Sequence, residues 1–395
     1  MIAEWVLVMV IVIWMSFYYN YFLALWGMLN SFRMNKNMGS DKPKYFIIQI
    51  TTAGKAPKSV TKMLEHLNKI KREINIKYSV WVVTEPRDKT KYKCDRLIVV
   101  PTNFKCNSAY KARALEYARR LRLKMYKNKI SPDKVKILFL DDDCFPEKEY
   151  IKAVYYSNLD VGQGRLQSDV NYGYNLIASI ADNFKATDCF ATCFTFGHLG
   201  HPVNVHGEGL FCRGSVENYV TWEIGGAGSW GEDFIFGTKA SKKYKFGIIP
   251  YVVHESSLLS IKDLYRQRRR WYRNNPEILK TTDNYRRLFI GSRIFSGYCG
   301  LPAVFFTIYL TLIRVSWPTP ILYIFSTGTF FFIMYYIIGA WVNTHSFKKI
   351  IQTLCLFWLA AAIESTFLYL SLIFRPKGFE VTPKDIPTYP EIKPS

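Results

Sequence analysis

The stretch Ile137-Leu138-Phe139-Leu140-Asp141-Asp142-Asp143 decides the fold, because an apolar run ends abruptly in three carboxylates. A short apolar run bounded by a turn is typical of a buried strand. If extended geometry continues past Leu140, Asp141 and Asp143 project to the same side. Neighbouring carboxylates repel one another unless a cation neutralises them, and oxygen ligands suit Mg²⁺ or Mn²⁺. The stretch therefore predicts a strand that ends in a metal site; a solvated acidic turn is the alternative.

Strands and helices alternate on both sides of this run. Strands are predicted at Tyr45–Ile50, Tyr78–Val83, Leu97–Val100 and Ile137–Leu140, and helices at Ser59–Ile70 and Ser108–Met125. Such alternation favours an α/β fold, with a mostly parallel sheet and helices on both faces. In that architecture ligands bind outside the carboxyl ends of the strands. Thr51, Glu85 and Asp141 each follow a strand, so we expect them to converge on one crevice.

Four apolar segments flank the α/β region, and each reaches the roughly 20 residues that a helix needs to cross a bilayer. They run from Trp5 to about Leu29, then over Ile294–Val315, Ile321–Val342 and Ile350–Phe374. The first lacks the basic n-region and the cleavage site of a signal peptide, so a retained anchor is expected. Basic residues near the span ends, among them Arg33, Arg286 and Lys348, predict an integral membrane protein with a cytoplasmic central domain. The membrane would be the plasma membrane of a prokaryote, or the endoplasmic reticulum or Golgi of a eukaryote.

These patterns divide the chain into five predicted segments. They are an N-terminal transmembrane anchor at 1–32, a cytoplasmic α/β domain at 41–257, amphipathic interface helices at 258–292, three transmembrane helices at 293–375 and an irregular tail at 376–395. Glu364 lies inside the last apolar segment, where an ionisable group is costly. Either a functional role or a hydrogen bond to a neighbouring helix would explain it.

The formal charge of +22 fits either nucleic acid or an anionic surface. Its densest basic stretch, Lys262 to Arg293, adjoins the second apolar segment, so lipid headgroups and phosphate-bearing substrates explain it better. No nucleic-acid partner is expected, since no stacking motif accompanies the charge. The eight cysteines form no CxxC pair, which fits a reducing compartment. Cys189, Cys193, His198 and His201 leave a zinc site open, although their spacings miss the usual patterns.

Two more motifs carry residues suited to chemistry. In Trp230-Gly231-Glu232-Asp233-Phe234, Asp233 is a candidate general base, because desolvation raises the pKa of a carboxyl group. A helix N-cap is the alternative for Asp233, and Glu232 is a candidate for substrate binding. In Gln267-Arg268-Arg269-Arg270-Trp271, arginine suits phosphate oxygens and tryptophan offers a stacking surface. The alternative there is an interfacial helix, since both residue types favour lipid headgroups.

The order of these motifs, DxD, then ED, then QxxRW followed by apolar spans, resembles the family 2 inverting glycosyltransferases of the cellulose, chitin and hyaluronan synthase type. Val82-Val83-Thr84-Glu85 and the basic stretch that begins at Lys111 look more like the egghead-type β-1,4-mannosyltransferase branch. The resemblance covers about Tyr45 to Trp271 and implies a GT-A fold. It also implies a metal-dependent enzyme that uses Mg²⁺ or Mn²⁺ and a nucleotide sugar donor.

The resemblance assigns roles to individual residues. Glu85 would face the nucleotide base, and Lys111 and Arg113 would lie near the nucleotide. Asp141 and Asp143 would bind the metal and the diphosphate, and Asp233 would deprotonate the acceptor hydroxyl. The diphosphate and the acceptor would be held by Gln267, Arg270 and Trp271. One departure is His206-Gly207-Glu208-Gly209, which stands where polymer synthases carry an acceptor-channel motif. That departure leaves the acceptor type and processivity open.

The expected reaction is inverting transfer from a UDP- or GDP-sugar to a hydroxyl of a membrane lipid or lipid-linked saccharide, which forms a β-glycoside. Only the egghead-like resemblance favours GDP-mannose as the donor. A processive polysaccharide synthase is the alternative enzyme. A membrane scaffold that binds nucleotide or lipid headgroups without turnover is the alternative of another class.

Overall fold

The computed structural model describes residues 2–34, 39–169, 174–225, 231–312 and 319–374. Within these ranges the chain forms two compact units. The helical unit contains 2–34, 167–204 and 257–374, and the α/β unit contains 39–166 and 205–256. Residues 167–204, which the sequence pattern places inside the 41–257 domain, therefore cluster with the terminal helices. The predicted tail at 376–395 lies outside the described residues.

The described residues form the following strands and helices. The strands are β1 (Tyr45–Thr51), β2 (Ser79–Thr84), β3 (Arg96–Val99), β4 (Val135–Asp141), β5 (Cys144–Pro146), β6 (Val161–Asp169), β7 (Phe211–Arg213) and β8 (Phe246–Ser256). The helices are α1 (Ile2–Arg33), α2 (Pro57–Glu73), α3 (Tyr110–Tyr126), α4 (Lys148–Tyr156), α5 (Leu176–Asp188), α6 (Thr195–His198), α7 (Gly214–Val220), α8 (Glu232–Ala240), α9 (Ile261–Thr281), α10 (Asn284–Leu312), α11 (Thr319–Thr344) and α12 (Phe347–Ile373). A 3₁₀ turn at Pro132–Lys134 precedes β4, and a π-helical stretch at Cys189–Phe194 joins α5 to α6.

The strands form one mixed sheet in the order β3-β2-β1-β4-β7-β6-β8-β5. Pairing is parallel from β3 to β4, as the alternation of strands and helices predicts. Three pairs in the other half, β4 with β7, β6 with β7 and β5 with β8, are antiparallel. The sequence does not reveal this half, because β5 and β7 are only three residues long and cannot show an apolar period. The α/β class is confirmed.

Helices cover both faces of the sheet. On one face Ile48 of β1 belongs to the same buried cluster as Met63 and Leu67 of α2. On the other, Ile47 belongs to a cluster with Ala114 and Ala118 of α3. Side chains alternate between the two faces of a strand, so β1 buries apolar groups in both directions. This double burial is why the parallel strands appear in the sequence as continuous apolar runs.

Two helices of the helical unit, α11 and α12, are long and apolar enough to cross a membrane, judged by length and composition. They contain the predicted third span and all but the last residue of the predicted fourth span. The predicted first and second spans fall on α1 and α10, which include side chains outside those described. The second span also extends into 313–315, which the structure does not describe.

Residues 176–198 are helical and pack closely against the apolar helices. A Cβ added at Gly339 of α11 would lie 1.8 Å from the carbonyl oxygen of Asn183 in α5. A Cβ added at Gly27 of α1 would lie 2.0 Å from the carbonyl oxygen of Phe190 in the π-helical stretch. Real Cβ atoms cannot come this close, so glycine allows the backbones to touch. The segment escapes sequence analysis because charged residues such as Asp182 interrupt its apolar pattern.

Candidate active site

The carboxyl ends of the central parallel strands bring two predicted residues side by side. Thr51 at the end of β1 is in register with Asp141 at the end of β4 and with Val83 of β2. The Thr51 side chain is buried, and its hydroxyl oxygen accepts a hydrogen bond from Gln49 Nε2 at 3.2 Å. Thr51 thus lies where the sequence predicts it, with its hydroxyl group bonded within the sheet.

The three consecutive carboxylates have different environments. Asp141 is partly exposed, with its side chain 21% accessible. Asp142 is buried and accepts a hydrogen bond from Thr52 Oγ1 at 2.9 Å. Asp143 is also buried, and its backbone oxygen accepts a bond from Ser256 Oγ at 3.4 Å. Asp142 is therefore tied to the loop after β1, whereas Asp141 remains accessible at the strand end.

Lys111 connects the end of β4 to the start of α8. It lies in the first turn of α3, and its Nζ pairs with Asp141 Oδ1 and lies 3.3 Å from Glu232 Oε1. The Lys111 side chain is 17% exposed and the Glu232 side chain 7%. A partly buried ammonium group between two carboxylates reduces the repulsion between them.

Asp233 lies in the first turn of α8, next to Glu232. Gly231 occupies the N-cap position, so the alternative of Asp233 as N-cap is wrong. The backbone N–H of Phe234 donates to Asp233 Oδ1 at 2.8 Å. A Cβ added at Gly207 would lie 2.6 Å from Lys111 Nζ and 3.1 Å from Asp233 Oδ2. Both side chains therefore border the backbone of the loop before β7.

The pKa values of Asp233 and Lys111 in this cluster are both raised, but for different reasons. Burial, reinforced by the charge of Glu232, raises the pKa of Asp233 to about 7, although Lys111 acts in the opposite direction. Burial disfavours the charged form of Lys111, but the surrounding carboxylates outweigh it and hold the Lys111 pKa well above its usual value. Near neutral pH the lysine is therefore cationic while Asp233 exchanges a proton, which suits a general base.

The loop His206-Gly207-Glu208-Gly209 contributes residues to this cluster that sequence reasoning did not assign. Gly207 borders Lys111 and Asp233, and the charge of Glu208 influences the pKa of both. The His206 backbone N–H donates to Gln163 Oε1 at 3.0 Å, which fixes the loop to β6. The available signal was an acidic residue between two glycines.

Glu85 and Arg113 form a separate pair beyond the end of β2. Arg113 Nη1 lies 3.2 Å from both carboxylate oxygens of Glu85, and Arg113 Cζ lies 5.7 Å from the centroid of the Phe104 ring. The neighbouring Asp88 accepts hydrogen bonds from Thr84 Oγ1 at 2.7 Å and from the Tyr92 hydroxyl at 2.9 Å. These bonds hold the loop after β2 in place around Glu85.

Trp222 anchors the segment that leads toward α8. Its ring stacks on Phe236 of α8, with centroids 4.1 Å apart and planes at 12°. Its indole N–H donates to Glu217 Oε1 at 2.9 Å, and its backbone N–H donates to Glu116 Oε2 at 3.2 Å. Because Glu116 belongs to α3, these contacts connect the helix of Lys111 with the helix of Asp233. Residues 226–230, which include Trp230 of the predicted motif, lie outside the described residues.

The predicted residues Gln267, Arg270 and Trp271 lie on α9, in the helical unit. The helix begins after Ser260, whose hydroxyl accepts from the Asp263 N–H at 3.1 Å. Gln267 Oε1 accepts a hydrogen bond from Arg268 Nη1 at 2.6 Å. The structure groups these residues with the apolar helices, and the acidic cluster belongs to the α/β unit.

The residues considered for zinc differ in environment. Cys189 and Cys193 are buried in the π-helical stretch, where the Cys193 Sγ lies 3.8 Å from the Thr192 hydroxyl. His198 and His201 are exposed, and the His201 ring contacts Tyr285 with centroids 6.0 Å apart. The two histidines are therefore accessible to solvent, whereas the two thiols are enclosed in the helical unit.

The ordered motifs and the strand-end acidic cluster agree with a comparison to known families. The family described as glycosyl transferase family group 2 matches residues 136–368. The chain belongs to this family. The resemblance to the family 2 glycosyltransferases is therefore confirmed. The match begins in β4 and ends within α12.

Two curated relatives point to the same branch of family group 2. The chain is 29% identical over 185 residues to the β-1,4-mannosyltransferase bre-3 of Caenorhabditis elegans, and 28% identical over 185 residues to that of Caenorhabditis briggsae. Each alignment covers 45% of this chain, and the chain spans about 40% of the length of each relative. The predicted resemblance to the egghead-type β-1,4-mannosyltransferases is confirmed by these relatives.

One similar solved structure is the mannosyltransferase PcManGT from Pyrobaculum calidifontis in complex with GDP-Man and Mn²⁺. It is 11% identical in sequence, with a TM-score of 0.49 over 92% of this chain and 98% of that chain.

Proposed function

We propose that this glycosyltransferase moves mannose from GDP-mannose to a hydroxyl group of a lipid or lipid-linked saccharide, with inversion to a β-glycoside. The observation that supports this proposal best is the cluster of Lys111, Asp141, Glu232 and Asp233 at the carboxyl ends of the parallel strands. Both curated relatives are named β-1,4-mannosyltransferases, which favours mannose and a β linkage.

Asp233 is the proposed base. A carboxyl group with a pKa of about 7 is half deprotonated near neutral pH, and its conjugate acid is strong enough to release the proton again. Asp233 takes the proton from the acceptor hydroxyl while that oxygen attacks the anomeric carbon on the side opposite the diphosphate. One displacement then breaks the bond to the diphosphate and inverts the configuration of an α-linked donor.

Asp141 and Asp143 would hold Mg²⁺ or Mn²⁺. The fit rests on the donor set, because two carboxylates one residue apart at a strand end supply the oxygen ligands that these ions prefer. The pairing of Asp141 with the Lys111 ammonium group also indicates that this end of the strand needs positive charge. When bound, such an ion neutralises negative charge on the diphosphate leaving group.

The remaining predicted residues bind rather than react. The Glu85–Arg113 pair, at the end of β2, offers both a carboxylate and a guanidinium group to the nucleotide. Gln267, Arg270 and Trp271 on α9 are proposed to bind the diphosphate and the acceptor, because arginine forks match phosphate oxygens. Lys111 offsets part of the negative charge of the acidic cluster beside the donor.

The setting is proposed to be a membrane with the α/β unit on the cytoplasmic side. Helices α11 and α12 have the length and composition of spans. The two lysines in the first turn of α12, Lys348 and Lys349, favour the cytoplasmic face for the connection between these helices. An acceptor in the bilayer would then meet a donor that is soluble in the cytoplasm.

The test uses the full-length protein in its own membranes or in detergent. GDP-mannose and a set of UDP-sugars are supplied with Mg²⁺ or Mn²⁺, and nucleoside diphosphate release is measured together with the mass of the lipid-extractable product. The expected result is GDP release and a single added hexose. Asp233→Asn should bind GDP-mannose with nearly unchanged affinity and release at most about one thousandth of the GDP, because the base is lost.

Other outcomes would point elsewhere. Release from a UDP-sugar alone would refute the donor assignment while leaving glycosyl transfer intact. A ladder of products would indicate a processive polysaccharide synthase. Donor binding without any diphosphate release in the wild-type protein would favour a non-catalytic scaffold, and unchanged transfer in Asp233→Asn would refute the assignment of the base.

A further inference from the structure

Arg268 is a buried arginine between three helices of the helical unit. Its side chain is 3% exposed, although it belongs to the basic helix α9. Its Nη2 lies 3.6 Å from Asp182 Oδ1 of α5, and its Nε pairs with Glu364 Oε1 of α12. A guanidinium group that is held from two sides has little rotational freedom, so its remaining contacts are fixed in direction.

Those remaining contacts are with the two ends of the QxxRW motif. Arg268 Nη1 donates to Gln267 Oε1 at 2.6 Å, and Arg268 Cζ lies 4.5 Å from the centroid of the Trp271 ring. A second cation from α5, Lys185, has its Nζ 5.7 Å from the same ring centroid. Arg268 thus contacts both Gln267 and Trp271 while two other helices hold it.

The cluster balances its own charge. Asp182 and Glu364 supply two negative charges, and Arg268 and Lys185 supply two positive charges; Lys185 Nζ lies 3.9 Å from Asp182 Oδ1. Glu364 is only 15% exposed and Asp182 only 1%. Removing one partner would leave an unpaired charge in a poorly hydrated place, so the cluster resists partial disruption. Such a cluster constrains the orientation of its side chains more than it stabilises the fold.

We infer that Asp182 and Glu364 are positioning residues for the reaction: through Arg268 they hold Gln267 and Trp271 in the orientation that binds the donor diphosphate and the acceptor. The inference rests on the proposed function, because it assigns a binding role to the QxxRW residues. It also explains why Glu364, an ionisable residue, lies inside an apolar helix, because Glu364 pairs with Arg268. Arg268 thereby has a structural role within the motif that runs from Gln267 to Trp271.

The chain provides a matched control. Asp188, on the same helix α5 as Asp182, forms an ion pair with Arg293 of α10 and accepts a hydrogen bond from the Tyr335 hydroxyl at 3.0 Å. This second pair belongs to the same unit and is partly buried. The contacts of Gln267 and Trp271 described above include neither Asp188 nor Arg293. Asp188→Asn therefore reproduces the loss of a carboxylate on α5 without touching Arg268.

The experiment compares Glu364→Gln, Glu364→Asp, Asp182→Asn, Arg268→Lys and Asp188→Asn in full-length protein. Initial rates of GDP release from GDP-mannose give kcat and KM for each, and a thermal unfolding midpoint reports folding. We expect Glu364→Gln, Asp182→Asn and Arg268→Lys to lose about 10- to 100-fold in kcat/KM, since a misplacement of about 1 Å in a binding group has an effect of this size. Glu364→Asp keeps the charge and should recover part of the loss, and Asp188→Asn should stay within about twofold of the wild-type value.

A second readout does not depend on turnover. The fluorescence of Trp271 is isolated by subtracting the spectrum of a Trp271→Phe protein, in the wild-type background and in the Glu364→Gln and Asp188→Asn backgrounds. We expect the difference spectrum to change in intensity or position with Glu364→Gln and to stay constant with Asp188→Asn. An unchanged Trp271 spectrum together with unchanged kcat/KM in folded Glu364→Gln would overturn the inference.

The two proposals fail in different ways. If the wild-type protein releases no nucleoside diphosphate, the proposed function is wrong, and the Trp271 spectra still decide whether Glu364 orients the ring. If the wild-type protein is active and Glu364→Gln and Asp188→Asn lose activity equally, with equal losses of thermal stability, the role of Glu364 is general packing and the inference is wrong.

Discussion

Replacing Lys111 by methionine removes the positive charge from the acidic cluster while keeping a side chain of similar length. Lys111 Nζ and Asp233 Oδ2 lie 2.6 Å and 3.1 Å from one point beside Gly207, so they are at most about 6 Å apart. At that distance, with an effective dielectric constant of about 20, their attraction is about 3 kcal/mol. One pKa unit corresponds to about 1.4 kcal/mol, so the Asp233 pKa should rise by about 2 units.

The sign of the activity change follows from the role of Asp233. A base must be deprotonated to act, so activity rises with pH through its pKa, which is about 7 in the wild-type protein. A higher pKa moves this acidic limb of the pH profile toward alkaline pH. At neutral pH the variant should therefore transfer at least tenfold more slowly, and part of the rate should return near pH 9.

The assay is the pH dependence of kcat/KM for GDP release, measured in parallel for Lys111→Met, Lys111→Arg and Lys239→Met. Lys111→Arg retains the charge and should keep the midpoint near the wild-type value. Lys239→Met removes a lysine from the same helix as Asp233, two turns further along. The reasoning is refuted if Lys111→Met is active with an unmoved acidic midpoint, or if Lys239→Met shifts the midpoint as far.

Three further predictions concern packing around the site and between helices. Gly207→Ala would place a Cβ 2.6 Å from Lys111 Nζ, so we expect a loss of transfer of about tenfold or more with a normal unfolding midpoint, whereas wild-type activity would contradict the close approach. Thr52→Val removes the 2.9 Å hydrogen bond to buried Asp142 and should lower the free energy of unfolding by about 1–3 kcal/mol, measured by denaturant titration. As a control, Thr61→Val loses an exposed hydrogen bond to the Pro57 carbonyl and should change the free energy of unfolding far less. Gly339→Ala would place a Cβ 1.8 Å from the Asn183 carbonyl oxygen and should separate α11 from α5. We expect it to lower the thermal unfolding midpoint in detergent by several degrees. Gly291→Ala is the control, because the nearest atom to its Cβ would be 3.8 Å away, and it should leave the midpoint unchanged.

The parallel half of the sheet could be predicted because its strands are buried on both faces and end at polar turns. Val135–Asp141 is the clearest case, since an apolar run stops at a carboxylate and the register then places Asp141 beside Thr51. The short strands Cys144–Pro146 and Phe211–Arg213 have no such signal. Their pairing depends on the rest of the sheet, which a local pattern cannot encode.

The acidic cluster could be predicted only in part. Asp141 and Asp233 carry recognisable motifs, but the contacts of Lys111 with Asp141 and Glu232 depend on how α3 packs against the sheet. Gly207 gives no signal in isolation, because its importance comes from two side chains far away in sequence. Arg268 looked like one basic residue among several on α9, and only its burial between α5 and α12 distinguishes it.

The helical unit is assembled from three separated stretches of chain, 2–34, 167–204 and 257–374, and the middle one interrupts the α/β unit. A continuous fragment such as 41–257 would therefore carry α5 and the π-helical stretch without α1, α11 and α12, the helices that cover them. The backbone at Asn183 and Phe190 would lose the glycines that pack against it, and an apolar surface would be left open to water. Recombinant α/β fragments should aggregate unless residues 167–204 are replaced by a short polar linker, so the domain boundary that matters for expression is discontinuous in the sequence.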